Sequence, residues 1–315
     1  MEIIIPATHE QWLAERAKGI GSSEVATVLG VNPFDTPYRL WRRKRGMDAP
    51  QEENEAMRAG HILESAVATY FEQESHRRVI RRSAGDWIAY DEKRPYLRVS
   101  PDRTYWTGSK RSGRSKGVLE CKTTQMDVDA DDLPKHWFCQ LQYQLGVMGL
   151  TQGSLAWLTR GRRFGFRDIR FDPDFYDYLV FRLEKFWNEN VMGGKEPPVL
   201  AVEDVMAKWT KSADRAVEAT DEIAADVTAL NAIKPQIEEL NRQKKELEDR
   251  IKLYMEDADT LCLQGTKETA PTVIATWRTA KDSVRFDEKA FALEHQQLHD
   301  AYMRSVAGSR RFITK

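Results

Sequence analysis

The feature that most constrains the fold is a short apolar segment that runs directly into two charged residues. Gly117-Val118-Leu119 has the character of a strand entering a protein core, and Glu120-Cys121-Lys122 follows without a break. Successive side chains of a strand point to opposite faces, so Glu120 and Lys122 share one face and Cys121 points to the other. Buried charges are costly unless they are paired or bind something. The segment therefore predicts a core strand with a functional site near its end.

A second carboxylate, Asp102, ends the motif Ser100-Pro101-Asp102 and follows another predicted strand, so it can meet Glu120 and Lys122. Carboxylate oxygens suit Mg²⁺, and the backbone carbonyl of Cys121 offers a further oxygen ligand. A lysine at such a site can orient or activate the attacking water and offset charge on a phosphate. Spacing alone leaves a second interpretation open, because an ordinary surface ion pair gives the same pattern.

Capping signals and apolar periodicity predict the surrounding elements. Helices are expected over residues 8–19, 22–30, 36–46, 54–75, 133–150 and 172–194. Strands are expected over residues 87–90, 96–100, 117–122, 154–159 and 164–171, with a polar loop at 107–117. This mixed order predicts an α/β domain over residues 1–200, with a small central sheet flanked by helices.

The composition changes after Pro197-Pro198, and residues 205–315 are predicted to form a separate appendage. From Ile223 to Tyr254 apolar residues recur at heptad spacing, interrupted by Lys244. This pattern predicts a coiled-coil-like helix over about 216–256, or an antiparallel helix pair divided at Pro235. Strands at 260–264 and 272–278, a helix at 287–306 and a strand at 310–314 are expected to follow.

Charge and cysteine content narrow the class of protein. The formal net charge of −1 does not by itself favour a nucleic-acid partner, although basic residues cluster at 42–45, at 77–82 and at 110–116. Three widely spaced cysteines argue against a disulfide framework or a zinc site. No apolar run approaches the roughly 20 residues that cross a bilayer, and the first residues lack the pattern of a signal peptide, so a cytoplasmic location is expected.

Six separated motifs occur in a fixed order between residues 10 and 190. They are Arg16 with Ile20-Gly21-Ser22-Ser23-Glu24-Val25-Ala26; Asn32-Pro33-Phe34 with Tyr38, Leu40-Trp41 and Gly46; Gly60-His61-Ile62-Leu63-Glu64; Ser100-Pro101-Asp102; Gly117-Val118-Leu119-Glu120-Cys121-Lys122; and Gln140-Leu141-Gln142-Tyr143-Gln144-Leu145. Together they resemble the YqaJ-type viral recombinases and phage lambda exonuclease, within the PD-(D/E)XK nuclease superfamily. The resemblance implies a restriction-endonuclease-like core around a mixed sheet.

The resemblance also implies roles for particular residues. Asp102, Glu120 and the Cys121 carbonyl would bind metal, with Glu64 as an additional acid on the metal or its water. Lys122 would position the nucleophilic water. Four residues would hold the 5′ phosphate of a DNA end: Arg16, Ser23, Ser100 and Gln140. Gln144 lies one helical turn from Gln140 and can face the same groove. Arg103 stands where many relatives have glycine, and it is expected in a turn from which it can approach DNA.

The activity implied is a Mg²⁺-dependent 5′-to-3′ exonuclease of double-stranded DNA, with a two-ion site in which Mn²⁺ can substitute. It would leave 3′ single-stranded tails for a phage single-strand annealing protein and act on DNA ends as a ring-shaped homotrimer. Two alternatives stay open from the residues. One is an endonuclease of the same superfamily, and the other is a non-catalytic scaffold that binds DNA ends.

Overall fold

The structure is a computed structural model that describes residues 1–48, 54–80, 87–108, 113–265, 270–305 and 308–314. It divides into two compact units, Met1–Trp209 and Thr210–Lys315. Of the residues discussed above, Arg81, Arg82, Lys110, Arg111 and the predicted helix end at Val306 lie outside the described residues.

The first unit combines seven α-helices with eight strands in its described part. The helices are α1 (His9–Ala17), α2 (Val25–Val28), α3 (Pro37–Lys44), α4 (Glu55–Ser75), α5 (Lys135–Met148), α6 (Pro173–Lys185) and α7 (Val202–Lys208). The strands are β1 (Glu2–Ile4), β2 (Arg78–Ile80), β3 (Ile88–Tyr90), β4 (Arg98–Val99), β5 (Arg103–Thr107), β6 (Ser115–Thr124), β7 (Gln152–Thr159) and β8 (Arg163–Arg170). A 3₁₀ turn, Ser22–Glu24, precedes α2, and a π-helical segment, Phe186–Met192, continues α6.

The central sheet has five strands in the order β2-β5-β6-β7-β8. The pair β6–β7 is parallel and the other three pairs are antiparallel, so the sheet is mixed. A smaller sheet has the order β1-β3-β4. The chain passes from the small sheet to the central sheet through residues 100–102, between β4 and β5. The predicted α/β class with a mixed central sheet is therefore confirmed.

Helices cover both faces of the central sheet. On one face, Val67 and Phe71 of α4 pack in a cluster with Leu119 of β6. On the other face, Leu141 and Leu145 of α5 pack in a cluster with Val118. Alternate residues of β6 are thus divided between the two helices, as the period of a strand requires. This arrangement decides which helix meets Glu120 and Lys122.

A close backbone contact places the segment after α1. A Cβ atom at Gly19 would lie 2.3 Å from the carbonyl oxygen of Tyr96, a distance that only glycine avoids. Next to it, Ile20 forms a parallel bridge with Leu97, and the Ile20 N–H donates to the Tyr96 carbonyl at 2.7 Å. The segment is therefore fixed against the start of β4, and residues 21–24 follow from there.

A second anchor joins α3 to α7. The Asp204 carboxylate accepts hydrogen bonds from the N–H groups of Leu200 and Ala201 at 2.9 and 3.1 Å, which caps the start of α7. Its other oxygen accepts the Thr36 hydroxyl at 2.6 Å. Thr36 is itself the N-cap of α3. The contact between Thr36 and Asp204 therefore joins the capping groups at the N-termini of α3 and α7.

The second unit contains one long helix, α8 (Asp221–Met255), with Pro235 inside it. A hairpin of β9 (Thr260–Leu263) and β10 (Thr272–Thr276) follows, and then two short helices, α9 (Glu288–Glu294) and α10 (Gln296–Tyr302). Of the two predicted forms, the single helix is the one observed. The antiparallel helix pair divided at Pro235 is wrong, because α8 is continuous. The predicted strand at 310–314 is also wrong, since residues 308–314 have no regular structure. No helix in the described ranges is long and apolar enough to span a membrane.

Candidate active site

Glu120 and Lys122 lie on the face of β6 that is turned toward α5. They share this face with Val118, which packs against Leu141 and Leu145 of α5. On the same helix, Gln140 and Gln144 each stand one residue before one of these leucines, and both are buried. The apolar strand and the helix therefore bring a carboxylate, an ammonium and two amides together inside the core.

The Glu120 carboxylate is buried and accepts three hydrogen bonds from side chains. Its Oε1 atom accepts hydrogen bonds from Lys122 Nζ at 2.8 Å and from Gln140 Nε2 at 2.5 Å. Its Oε2 atom accepts one from Gln144 Nε2 at 2.8 Å. Charge-assisted donors of this kind offset much of the cost of burying an ionised carboxylate. The side chain is therefore held in one position before any ligand arrives.

Lys122 completes this network. Its ammonium donates to Glu120 Oε1 and, at 2.9 Å, to Gln140 Oε1. Burial lowers the pKa of Lys122, but the Glu120 and Asp102 carboxylates outweigh burial, so the pKa is raised above its usual value. A permanently charged ammonium orients water or phosphate through its positive charge, and it is a poor proton acceptor.

Asp102 reaches the same place from the junction between the two sheets. Leu119 pairs with Arg103, the first residue of β5, so β6 continues past the end of its neighbour. There the Asp102 carboxylate accepts the backbone N–H of Cys121 at 2.7 Å. Burial, followed by the carboxylates of Glu120 and Glu64, raises the pKa of Asp102 well above its usual value. These three acids therefore repel one another in the absence of a cation.

Glu64 joins the cluster from α4, on the other side of the sheet. Its carboxylate forms an ion pair with the Arg103 guanidinium, which also donates to the Asp102 carbonyl at 2.6 Å. Burial raises the pKa of Glu64, the Arg103 guanidinium lowers it, and the Glu120 carboxylate raises it. Burial and Glu120 together outweigh Arg103, so the pKa of Glu64 lies above its usual value. The arginine that replaces the usual glycine thus supplies the positive charge closest to Glu64.

The hydrogen bonds of Gln144 lead from the acids toward the N-terminal segment. Gln144 Nε2 also donates to the buried Ser22 hydroxyl at 3.2 Å. The neighbouring Ser23 hydroxyl accepts from Arg16 at 2.6 Å, and the Arg16 guanidinium lies over the Trp12 ring, 5.0 Å from its centroid. Arg16 and Ser23 therefore form a pair of their own, one residue along the chain from the network that holds Glu120.

The remaining predicted phosphate-binding residues are placed differently. Gln140 is part of the Glu120 network and has both amide atoms engaged. The Ser100 hydroxyl donates to the Trp87 carbonyl at 2.7 Å, which fixes the chain before Asp102. The structure therefore brings together Asp102, Glu120, Lys122, Glu64 and Gln140, it pairs Arg16 with Ser23, and it gives Ser100 a backbone contact.

The chemistry of the donors fits a hard divalent cation. Two carboxylates and the backbone of Cys121 meet at the end of β6, and their mutual repulsion would be relieved by positive charge. In addition, Gln144 Oε1 is buried and has no hydrogen-bond partner among the described residues. No three carboxylate, imidazole or thiolate groups in the described ranges already converge as a metal cluster. Arg103 and Lys122 instead neutralise Glu64 and Glu120 one by one.

Two residues of the site were not predicted from the sequence. Gln144 was passed over in favour of Gln140, although the spacing of one helical turn indicated that both could face the same groove. Arg103 was expected in a turn, where it could approach DNA, but it begins β5 and contacts Glu64. A carboxylate on a helix and an arginine 39 residues later give no local sequence signal of such a pair.

Residues 11–151 match the YqaJ-like viral recombinase domain. The uncharacterized protein YqaJ of Bacillus subtilis strain 168 is 34% identical over 271 residues, which is 80% of each chain. The chain is also similar to an alkaline exonuclease from Laribacter hongkongensis, with a TM-score of 0.46 and 16% identity over 63% of this chain and 97% of that one. A phage related exonuclease from Haemophilus somnus 129PT gives a TM-score of 0.41 and 11% identity, over 56% and 96%.

Proposed function

This chain belongs to the YqaJ-like viral recombinase family, and we propose that it is a Mg²⁺-dependent exonuclease that degrades double-stranded DNA from its ends. The observation that carries the proposal is the group formed at the end of β6 by the buried Glu120 and the half-buried Lys122 and Asp102. An ordinary surface ion pair would lie in solvent, whereas the Glu120 side chain is 3% exposed and enclosed by amides. Such an arrangement is costly for a protein that does not use it.

In this proposal the acids and the lysine divide the work of phosphodiester hydrolysis. Asp102, Glu120 and the Cys121 carbonyl would hold Mg²⁺, with Glu64 as a further acid in a two-ion site where Mn²⁺ can substitute. When bound, the metal would lower the pKa of its water and offset charge on the phosphate. Lys122 would orient the attacking water beside the phosphate. Gln140 and Gln144 would keep Glu120 in place.

The direction of digestion rests on the second group of residues. Arg16 and Ser23 would bind the 5′ phosphate of the DNA end, because a guanidinium and a hydroxyl are good donors to phosphate oxygens. Ser100 and Gln140 would contribute from the side of the acids by exchanging their present hydrogen bonds, to the Trp87 carbonyl and to Glu120, for bonds to the phosphate. An end held there would be digested from 5′ to 3′, which leaves a 3′ single-stranded tail for a phage annealing protein.

The assembly proposed for the nuclease unit is a homotrimeric ring around DNA. A ring would explain how a chain with a formal net charge of −1 holds a polyanion, because its basic residues need only line the inner surface. A protein of this type would act where phage or prophage DNA recombines, in the bacterial cytoplasm.

Linear and covalently closed duplex DNA of the same sequence test the proposal directly. With Mg²⁺, the wild-type chain should digest linear DNA from 5′ ends and leave the closed circle intact. The variant Lys122→Ala should bind DNA ends but not digest them. Ready cutting of the circle would instead support an endonuclease. If the wild type showed no metal-dependent digestion at all, the chain would be a DNA-end-binding scaffold.

A further inference from the structure

Helix α8 carries an apolar stripe that is exposed along almost its whole length. In its 35 residues, positions a and d of five consecutive heptads are occupied by Ile223, Asp226, Leu230, Ile233, Ile237, Leu240, Lys244, Leu247, Ile251 and Tyr254. The eight apolar members are between 36 and 79% exposed. Heptads sustained over this length are the pattern of a coiled-coil seam.

The rest of the α8 surface is adapted to water. Arg242 lies at the outermost position of its heptad and forms ion pairs with Glu239 and Glu246 along the helix. Pro235 occupies the same outer position one heptad earlier, so the hydrogen bond it lacks is on the side away from the stripe. Pro235 and the Arg242 ion pairs therefore lie on the surface that a paired helix would leave in solvent.

We propose that α8 pairs antiparallel with α8 of a second copy of this chain. In the register that keeps Asp226 outside the seam, Ile237 of one helix lies opposite Leu247 of the other. Leu230 lies opposite Tyr254, and Ile233 lies opposite Ile251. The paired region from Leu230 to Tyr254 spans about three and a half heptads, which reaches the length that coiled coils need. This inference does not depend on the proposed nuclease activity.

The single charge of the stripe within the paired region, Lys244, selects the direction of the pair. A parallel pair would place the two Lys244 ammonium groups in one layer of the seam, where like charges repel. In the antiparallel register Lys244 lies opposite Leu240, and the second lysine is about 6 Å further along the axis, four residues at ~1.5 Å each. Each lysine can then extend its ammonium to solvent.

The residues that flank the stripe favour the same register. Lys234 and Glu248 both occupy position e, and in an antiparallel pair the e positions of the two helices face each other. Within one chain Lys234 contacts the Thr314 hydroxyl and Glu248 lies 3.6 Å from the Lys244 ammonium, so pairing would exchange these contacts for contacts between chains. Lys234 of each helix then meets Glu248 of the other, twice by symmetry. Asn241, midway between them, meets its own symmetry mate. An unrelated partner helix would not explain why these charges are complementary about the centre of the same helix.

The molar mass of the full-length chain in solution gives the first test. A twofold pair requires an even number of copies, whether two or a pair of the proposed rings. Light scattering after size exclusion should therefore show an even copy number, and Leu240→Glu with Leu247→Glu should halve it. The matched control is Leu253→Glu, whose side chain is 78% exposed on the same helix but off the stripe. An odd number of copies, or a mass unchanged in the double variant, would overturn the proposal.

Cross-linking tests the direction of the helices. In a Cys262→Ser background, which removes the exposed native thiol, Asn241→Cys should be joined to its symmetry mate by a short bis-maleimide. Lys245→Cys, on the outer surface four residues away, should not react in this way. A parallel pair would place the two residues 241 on opposite flanks. Absence of the cross-link at 241, or equal yields at 241 and 245, would contradict the antiparallel pair.

A charge reversal tests the register without removing apolar residues. Glu248→Lys places like charges opposite each other at two points. The dissociation constant of the pair should therefore rise roughly tenfold. Adding Lys234→Glu restores both opposite-charge pairs and should restore the wild-type dissociation constant. Circular dichroism on each variant separates a loss of pairing from a loss of the helix. If the double reversal dissociates as readily as the single one, the register is wrong.

Discussion

The end of β6 and the junction of α3 with α7 each enclose a carboxylate, but they surround it with different groups. Glu120 is 2% exposed and Asp204 is 0% exposed. Asp204 accepts hydrogen bonds from two backbone N–H groups and one hydroxyl, all at helix starts, and the Arg39 guanidinium of α3 lies 3.8 Å from its carboxylate. Glu120 is held by an ammonium and two side-chain amides, with another carboxylate nearby.

The difference shows that burial of a charge does not by itself indicate function. Asp204 satisfies groups that would otherwise be unpaired at the starts of helices, so its environment is explained by the fold alone. Around Glu120 the fold would have been served equally well by a leucine, as at Leu141 and Leu145 of the facing helix. What distinguishes the candidate site is the presence of polar side chains that no secondary structure requires.

The largest expected effect is on activity, from Glu120→Gln. We expect DNA digestion to fall roughly a thousandfold or more, because the amide removes a charged metal ligand. The free energy of unfolding should change by no more than about 1 kcal/mol. The Oε1 atom of Gln144 has no partner in the described part of the chain, so the Gln144 amide can turn and accept a hydrogen bond from the amide introduced at position 120. Digestion of linear DNA and urea denaturation measure the two quantities. Retained digestion would remove Glu120 from the catalytic group.

The opposite result is expected at Asp204. Asp204→Ala leaves two N–H groups and a hydroxyl without their acceptor, and should lower the free energy of unfolding by about 3 kcal/mol. Digestion per folded molecule should be unchanged at a temperature where the variant is folded. The measurement pairs chemical denaturation with activity at low temperature. An inactive but fully folded variant would show that Asp204 is more than a structural anchor.

Gln142 and Gln144 of α5 make the comparison within one helix. Both are buried, but Gln142 donates to the Arg170 carbonyl at 2.8 Å, away from the acids. Gln142→Leu and Gln144→Leu should each cost about 1–3 kcal/mol of stability by leaving polar groups unpaired. Only Gln144→Leu should also slow digestion, by roughly tenfold, because Glu120 loses a donor. Equal activities of the two folded variants would contradict a positioning role for Gln144.

The smallest expected effect is a pH-dependent gain in stability from Asp102→Asn in the metal-free protein. The pKa of Asp102 is raised on folding from 3.8, so the folded chain binds the proton more tightly than the unfolded chain. The contribution of Asp102 to stability is therefore fully present below its unfolded pKa of 3.8, and it is lost as pH rises through the raised pKa of the folded state. With a chelator at about pH 7 the variant should melt a few degrees above the wild type, and the difference should close toward about pH 4. A difference that persists at low pH would exclude repulsion among the acids as its cause.

Local patterns were enough to predict the part of the site that lies on one strand. The alternation of β6 placed Glu120 and Lys122 on one face, and the capping residues Thr8, Thr36 and Asp172 each cap a helix as expected. The strand β5 was missed, although Thr, Tyr and Trp favour strands, because the polar residues after it suggested a loop from about residue 105.

Features that depend on distant residues could not be predicted. Asp204 and Thr36 are 168 residues apart, and Arg103 and Glu64 are 39 apart, so neither contact leaves a periodic signal. The predicted strand at 310–314 failed for a related reason, since β-prone residues form a strand only when another strand is available beside them. Pro235 left the form of α8 open, because a proline can begin a helix or be tolerated within one.

The parallel pairing of β6 with β7 has a consequence for the order in which the site can assemble. A parallel pair requires a crossover, and here the crossover contains α5, so the strand and its supporting helix are adjacent in the chain. Glu120, Lys122, Gln140 and Gln144 all fall within residues 120–144. Closing so short a loop costs little entropy, and these groups can meet early in folding. Asp102, Glu64 and the Arg16–Ser23 pair would then dock onto a strand and helix that are already in contact.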